Sequence, residues 1–167
     1  YATLPGNQKK ILFPIEKLNR AGSNNRLLIQ DFFLSADNHL MLIFTNTKRV
    51  WRYNTRGDYW VYNLKDSSLL QLGKLLPSTS LMFAKISPDG TKAAYVSNYN
   101  LYVEDLSNHT IKQLTFDGSR QLINGTFDYL YEEEFDCREG FLGSPDSRKI
   151  AYWQMDARSV KDYQMLN

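Results

Sequence analysis

The stretch AKISPDGTKAAYV, residues 84–96, decides the fold of this chain, because it predicts two short strands around a tight turn. Pro88 presets a backbone angle suited to the second position of a turn, and Asp89 and Gly90 suit the positions that follow. The apolar residues on either side favour strands. The stretch is therefore predicted to be a β-hairpin.

The same order of residues occurs at two other places in the chain. FFLSADNHLMLIF begins at Phe32 and FLGSPDSRKIAYW begins at Phe141, so that the turn serines Ser35, Ser87 and Ser144 lie 52 and 57 residues apart. Internal repeats with a period of this length are typical of solenoids and propellers. The chain is therefore predicted to contain a structural repeat.

Two of the three hairpins are followed by matching second halves, YWVYNLKDSSLLQLG from Tyr59 and LYVEDLSNHTIKQLT from Leu101. Four short strands in each repeat predict an all-β chain built from the four-stranded antiparallel blades of a β-propeller. Helical periodicity is weak except around Tyr129 to Glu134. An ordinary β-sandwich is the alternative fold, but a sandwich does not need a repeated turn motif.

The number of repeats predicts an incomplete propeller. Closed propellers contain roughly four to eight blades, whereas residues 1–167 supply two full repeats and a partial one at each end. The start, YATLPGNQKKILFP, has no initiator Met, and Gln164 to Asn167 stop inside the third repeat. We therefore expect a propeller fragment, whose uncovered strand edges favour self-association.

Composition excludes several classes of protein. A hydrophobic fraction of 43% is enough for a core, and a net charge of +2 without a basic block argues against nucleic-acid binding. No apolar run approaches the roughly 20 residues that span a bilayer. The single cysteine excludes an internal disulfide framework.

Motifs for catalysis are missing from the sequence. No serine stands in a Gly-x-Ser-x-Gly elbow, and neither His39 nor His109 is near a plausible nucleophile. Clustered cysteines and histidines for zinc and a Gly-rich loop for a nucleotide are also missing. The sequence therefore predicts a binding role, without catalytic residues, a metal or a cofactor in this chain.

The stretch FDYLYEEEFD, residues 127–136, places Glu132, Glu133 and Glu134 side by side among aromatic residues. A run of charges is most often an exposed loop. Alternatively, the apolar neighbours anchor the stretch to a core and fix the carboxylates, and a fixed acidic cluster suits an ammonium group with its three donors. Cys137 is predicted to be a small buried residue.

DYLYEEE, residues 128–134, resembles the double-glutamate segment of the dipeptidyl peptidase IV family. Upstream, KRVWRYNTRGDYWVYNL from Lys48 is similar to the family's KxWRxSxxxxYxIYDL stretch, and order and spacing agree over about residues 30–156. The chain departs from the family at Gly143, where members commonly carry a tryptophan before Ser-Pro. This glycine removes a large packing group.

The resemblance implies an N-terminal propeller that covers a C-terminal α/β-hydrolase domain. In this family a serine triad on the hydrolase domain removes dipeptides from free N-termini, with proline or alanine preferred as the second residue. The triad would then lie outside this chain, and residues 1–167 alone would be inactive. The resemblance also implies that the protein works outside the cytoplasm, in the periplasm or at a cell surface.

By position, the resemblance implies that Glu133 and Glu134 form salt bridges with the substrate's α-ammonium, and that Arg52 reaches a carbonyl oxygen of the bound dipeptide. Trp51 and Tyr53 are expected to pack. Carboxylates held at a fixed distance from a serine would act as a ruler that selects the bond to be cleaved. The implied partners are peptides with a free N-terminus and the hydrolase domain.

Three other functions fit the same residues. The propeller of an inactive relative would be a scaffold for protein interactions. A free-standing propeller of the WD-repeat kind would bind partners by itself, although it would have no use for the paired glutamates and the arginine. A tripeptidyl peptidase would hold the ammonium one residue further from its serine, a distance that the sequence does not give.

Overall fold

The computed structural model describes residues 2–3, 8–9, 11–18 and 28–161. The expectation drawn from the ends of the chain, at Tyr1 and Gln164 to Asn167, concerns residues outside these ranges. The strands are β1 (Ala2–Thr3), β2 (Gln8–Lys9), β3 (Ile29–Leu34), β4 (Leu40–Arg49), β5 (Asn54–Asn63), β6 (Leu69–Gln71), β7 (Leu81–Ile86), β8 (Lys92–Ser97), β9 (Asn100–Asp105), β10 (Ile111–Gln113), β11 (Leu122–Asn124), β12 (Phe141–Gly143), β13 (Ile150–Tyr152) and β14 (Gln154–Asp156). A 3₁₀ helix spans Ile15–Leu18, and the α-helix α1 spans Tyr129–Glu134.

Two four-stranded antiparallel blades confirm the predicted repeat. The first blade contains β3, β4, β5 and β6 in order, and the second contains β7, β8, β9 and β10. In the first blade Leu42 of β4 pairs with Val61 of β5, and both side chains are buried. Strands rich in apolar residues thus face the next blade, as the sequence pattern predicts.

The same hydrogen-bonded turn closes all three predicted hairpins. In the second blade the Ser87 hydroxyl donates to Asp89 at 2.6 Å and accepts from the backbone N–H of Lys92 at 3.0 Å. Gly90 has a φ of 71° in this turn. The corresponding bonds join Ser35 to Asp37 and Leu40, and Ser144 to Asp146 and Lys149.

The two blades are joined into one eight-stranded sheet by a short pairing between β5 and β7. Arg56 pairs with Met82, and Gly57 pairs with Leu81. A Cβ atom at Gly57 would lie 2.5 Å from the ring of Phe44, so only glycine allows this close approach. The core between the blades contains Leu42, Phe44, Tyr59, Val61, Leu72, Leu81, Ala84, Ala93 and Tyr95.

A third unit packs beside the second blade. It contains the hairpin β12 and β13, with β11 paired to β14. Phe141 is buried against Val96 and Leu101 of the second blade. At Gly143 a Cβ atom would meet nothing within 4 Å, so the space that a larger residue would use is open on this face.

Two insertions distinguish the repeats from one another. Twelve residues lie between the paired Thr45 and Asp58 of the first blade, whereas only two lie between the paired Ser97 and Asn100 of the second. The longer connection ends in a loop over residues 50–53, which we call the hairpin tip; the backbone N–H of Val50 donates to the carbonyl of Tyr53 at 3.1 Å.

The second insertion, residues 127–138, separates β11 from β12, and we call it the acidic segment. The bridge between Thr126 and Glu139 closes its base, and the N–H of Gly140 donates to the carbonyl of Gly125 at 3.0 Å. The segment contains α1, the one α-helix in the described residues, at the place where the sequence pattern allows a helix. No helix within those ranges is long and apolar enough to cross a bilayer.

The turn carboxylates predict how stability depends on pH. The bond from the Ser87 hydroxyl, followed by that from the Thr91 backbone N–H, lowers the pKa of Asp89. Equivalent bonds lower the pKa values of Asp37 and Asp146. In the unfolded chain these carboxylates become protonated below about pH 4, whereas in the folded turns they stay ionised to a lower pH. The turns therefore stabilise the folded chain above about pH 4, and this stabilisation is lost as the pH falls further.

Replacing Ser87 by Ala tests this expectation. In urea unfolding at pH 7, Ser87→Ala should be less stable than the original chain, and the difference should shrink at pH 3, where Asp89 begins to protonate in the variant and in the unfolded state. Ser159→Ala, in an exposed turn, is the control. An equal difference at both pH values would show that Asp89 is not responsible.

Candidate functional site

The helix α1 is positioned by a cap at its beginning and a sharp turn after its end. Asp128 has an extended backbone, and its Oδ1 accepts from the N–H of Tyr131 at 3.1 Å. After the helix, Asp136 has a φ of 57°, and the N–H of Cys137 donates back to the carbonyl of Tyr131 at 3.0 Å. The turn of helix that carries the glutamates is therefore held at both ends.

Successive residues on a helix point about 100° apart, so the three glutamates enter three different environments. Glu132 is only 2% exposed, and its Oε1 atom has no hydrogen-bond partner within the described ranges. Burial raises the pKa of Glu132, the charge of Arg138 lowers it, and the neighbouring Glu133 raises it further. Glu132 thus points into the protein.

Glu133 contacts the hairpin tip through Arg52. Its Oε1 accepts from the backbone N–H of Arg52 at 2.9 Å, and its Oε2 lies 2.7 Å from Arg52 Nε. The second contact is an ion pair and not an aligned hydrogen bond, because no donor in the described part of the chain points at Oε2. The Glu133 side chain is 0% exposed, whereas that of Arg52 is 63% exposed.

Glu134 points to the outside. It is exposed, and none of the described residues forms a hydrogen bond or an ion pair with its carboxylate. The structure thus brings Arg52, Glu133 and Glu134 to one place, but the two glutamates lie in different environments. Glu133 is covered and already bound to a cation, and Glu134 is open to an incoming group.

Two aromatic contacts flank the Arg52 contact. The rings of Trp51 and Tyr129 meet edge to face with centroids 5.3 Å apart, and the guanidinium carbon of Arg138 lies 4.1 Å from the centroid of the Tyr53 ring. Trp51 and Tyr53 therefore pack against the acidic segment, as expected. Three consecutive residues of the hairpin tip contact three different residues of this segment.

Two expectations about the acidic segment are wrong. Cys137 is exposed and not buried. The apolar neighbours do not anchor the segment to a core, since Tyr129, Leu130 and Phe135 are each half exposed or more. These side chains lie on the surface because the buried position of this short helix is taken by Glu132.

The base of the acidic segment is fixed by a lysine that sequence reasoning missed. Lys85 Nζ lies 2.7 Å from Glu139 Oε2 and donates to the carbonyl of Phe141 at 3.0 Å. Lys85 belongs to β7, so the second blade contacts the residues at the base of the segment, just after its end at residue 138. Neither Lys85 nor Arg138 belongs to a sequence pattern that predicts a binding site, and only the fold brings them close to it.

The chemistry of the site suits a cation. A cavity of about 460 Å³ lies behind this site, on the side of Glu132, and its lining includes Trp51, Tyr99 and Tyr129. Arg52, Glu133 and Glu134 do not line it. Within the described ranges, no three His, Cys, Asp or Glu side chains are grouped as a metal site. A carboxylate beside aromatic rings and an arginine suits an ammonium group next to a carbonyl.

The cap at Asp128 predicts the stability of the helix. Asp128→Ala should destabilise α1 by about 1 kcal/mol, because the N–H of Tyr131 loses its acceptor, whereas Asp128→Asn should retain most of the cap. Amide hydrogen exchange across residues 129–134 measures the effect. Equal exchange in the Ala and Asn variants would show that the cap does not hold the glutamates in place.

Comparison with known proteins identifies the family of the chain. Residues 35–167 match the family described as the dipeptidyl peptidase IV (DPP IV) N-terminal region. Dipeptidyl aminopeptidase B of Saccharomyces cerevisiae is 32% identical over 143 residues, which cover 84% of this chain and 17% of that protein. The crystal structure of Porphyromonas gingivalis dipeptidyl peptidase 4 superimposes with a TM-score of 0.80 at 28% identity, over 92% of this chain and 21% of that one. The chain thus spans about a fifth of these relatives, and it belongs to the family of the dipeptidyl peptidase IV N-terminal region.

Proposed function

We propose that this chain is the peptide-binding propeller part of a serine-type dipeptidyl peptidase, which removes dipeptides ending in proline or alanine from free N-termini. The observation that carries the proposal is the exposed Glu134 beside Glu133, whose carboxylate is held by Arg52. The serine triad would lie on a hydrolase domain outside residues 1–167. Family resemblance alone supports action outside the cytoplasm.

The contacts of the free site suggest an order of events. Glu134 is exposed, so its carboxylate meets the substrate's α-ammonium first. The ammonium then replaces the Arg52 guanidinium at Glu133 Oε2, which exchanges one positive charge for another. The Arg52 side chain is largely exposed and free to turn to a carbonyl oxygen of the dipeptide. Its backbone N–H keeps Glu133 Oε1 in place throughout.

This arrangement gives the glutamates their role as a ruler. An ammonium fixed between Glu133 and Glu134 places the second peptide bond at a set distance from any serine on a rigid second domain. An acetylated N-terminus has no charge to offer, so binding it would desolvate the Glu134 carboxylate without a partner and would leave the Arg52 guanidinium on Glu133. Sites that leave buried polar groups unpaired reject such analogues strongly, by roughly 10⁴-fold in favourable cases.

The direct test uses the full-length protein and an Xaa-Pro peptide, once with a free N-terminus and once acetylated. Release of a dipeptide from the free form alone is expected. Equal cleavage of both forms would contradict the ammonium site. Release of a tripeptide would indicate a tripeptidyl peptidase, and no cleavage of either form would indicate an inactive scaffold. Residues 1–167 alone should cleave neither peptide.

Single glutamate variants separate the two roles. Glu134→Gln should lower kcat/KM by on the order of 100-fold, since a charged contact to the ammonium is lost while Glu133 stays bound to Arg52. Glu133→Gln should lose as much and should also free the hairpin tip, seen as faster hydrogen exchange at residues 50–53. Glu16→Gln, on the exposed 3₁₀ helix, is the control. Unchanged kinetics in Glu134→Gln would contradict its assignment.

A further inference from the structure

We propose that the groove between the second blade and the third unit binds an amphipathic carboxylate, that is, a small molecule with an apolar body and one anionic end. This groove, which we call the inter-blade groove, has a volume of about 380 Å³ and is lined by residues of β7 to β10 and of β12 and β13. Arg52, Glu133 and Glu134 do not line it. The inference therefore goes beyond the proposed function and does not rest on it.

Much of the lining of the inter-blade groove is apolar. The second blade contributes Ala94, Leu101 and Val103, and the third unit contributes Phe141 and Ile150. All of these except Val103 pack in one hydrophobic cluster, so the lining of the groove continues into the core between the two units. An apolar ligand body that enters such a groove leaves water, which is favourable.

Every charged residue that lines the inter-blade groove is basic. The five are Lys85, Lys92, Lys112, Arg148 and Lys149. Lys85 is paired with Glu139, whereas the exposed side chains of Lys112, Arg148 and Lys149 form no ion pair or hydrogen bond within the described residues. Clefts lined by charges of one sign concentrate the electrostatic field and attract ions of the opposite sign. The groove therefore favours an anion over a cation.

Gly143 leaves space at the side of the groove that belongs to the third unit. This glycine is part of the lining, and a Cβ atom on it would meet nothing within 4 Å. A larger side chain, such as the tryptophan that the family commonly carries before Ser-Pro, has room here to fold onto the apolar lining. With glycine at this position, the same surface is open to a ligand.

Two contacts hold the walls of the groove together. The backbone N–H of Asp89 donates to the Ser147 hydroxyl at 3.1 Å, so the turn of the second blade contacts the equivalent turn of the third unit. Lys85 Nζ donates to the carbonyl of Phe141 at 3.0 Å and lies 5.0 Å from the centroid of its ring. Because these contacts fix both walls, a ligand meets a preformed groove, and its binding costs little reorganisation.

Calorimetric titration of the full-length protein with decanoate tests the proposal. Decanoate should bind with a negative heat capacity change, because apolar surface is buried. Higher salt should weaken its binding, because the charges at the groove are exposed. Decanol and decyltrimethylammonium have the same chain length without the anion, and inorganic phosphate is an anion without the apolar body. Each of the three should bind at least about tenfold more weakly than decanoate.

Two substitutions at Gly143 test the apolar part of the groove. Gly143→Trp should weaken decanoate binding at least about tenfold, because the indole ring occupies apolar surface that the ligand needs. Gly143→Ala adds one methyl group in open space and should bind decanoate as the original protein does. Circular dichroism shows whether both variants are folded.

A combined variant tests the basic part of the groove. Lys112→Gln, Arg148→Gln and Lys149→Gln together should weaken decanoate binding about tenfold, since three exposed ionic contacts are lost. The matched control combines Lys65→Gln, Lys74→Gln and Lys161→Gln, which remove the same net charge at exposed positions outside the groove. The affinity of this control for decanoate should not change.

Hydrogen exchange locates the ligand without any measurement of peptide cleavage, so a failure of the proposed function would leave this test intact. Decanoate should slow exchange at residues 92–94 and 141–143. Equal binding of decanol or phosphate, an unchanged affinity in the combined groove variant, or protection only at other residues would each overturn the inference. If Gly143→Trp does not fold, the combined variant and hydrogen exchange decide.

Discussion

The contact between Arg52 and Glu133 is the interaction on which the site depends, because it joins an insertion in the eight-stranded sheet to one that connects two smaller sheets. Arg52 contributes both its backbone N–H and its guanidinium, so Glu133 is held by a rigid group and by a mobile one. The rigid bond fixes the carboxylate in space. The mobile ion pair leaves a cation that another cation can replace, which a site for an ammonium group requires.

A single turn of helix lets three adjacent carboxylates coexist. In a strand, Glu132 and Glu134 would share one face, and their charges would repel each other. In α1 one glutamate points inward, one meets an arginine, and one meets water. The inward residue, Glu132, is the one whose ionised form is disfavoured, because burial raises its pKa and the charge of Arg138 lowers it only in part. The repulsion among the three carboxylates is therefore reduced, because each of them lies in a different environment.

The sequence predicts those parts of the structure that depend on local geometry. The turns around Ser87 and its equivalents follow from neighbouring residues, and the resemblance placed Arg52 and the glutamates together. Contacts between distant positions were not predictable, since nothing in the sequence links Lys85 to Glu139 or Tyr53 to Arg138. The exposure of Cys137 was mispredicted because the acidic segment stands out from the blades instead of joining their core.

The hairpin between β8 and β9 shows what the hairpin tip adds to a blade. Asn98 and Tyr99, both with positive φ, close that hairpin in two residues, and the pairing on either side matches that of the first blade. The blade core is therefore indifferent to the length of this connection. A protein engineer could therefore build a tip with different side chains on either hairpin without redesigning the sheet beneath.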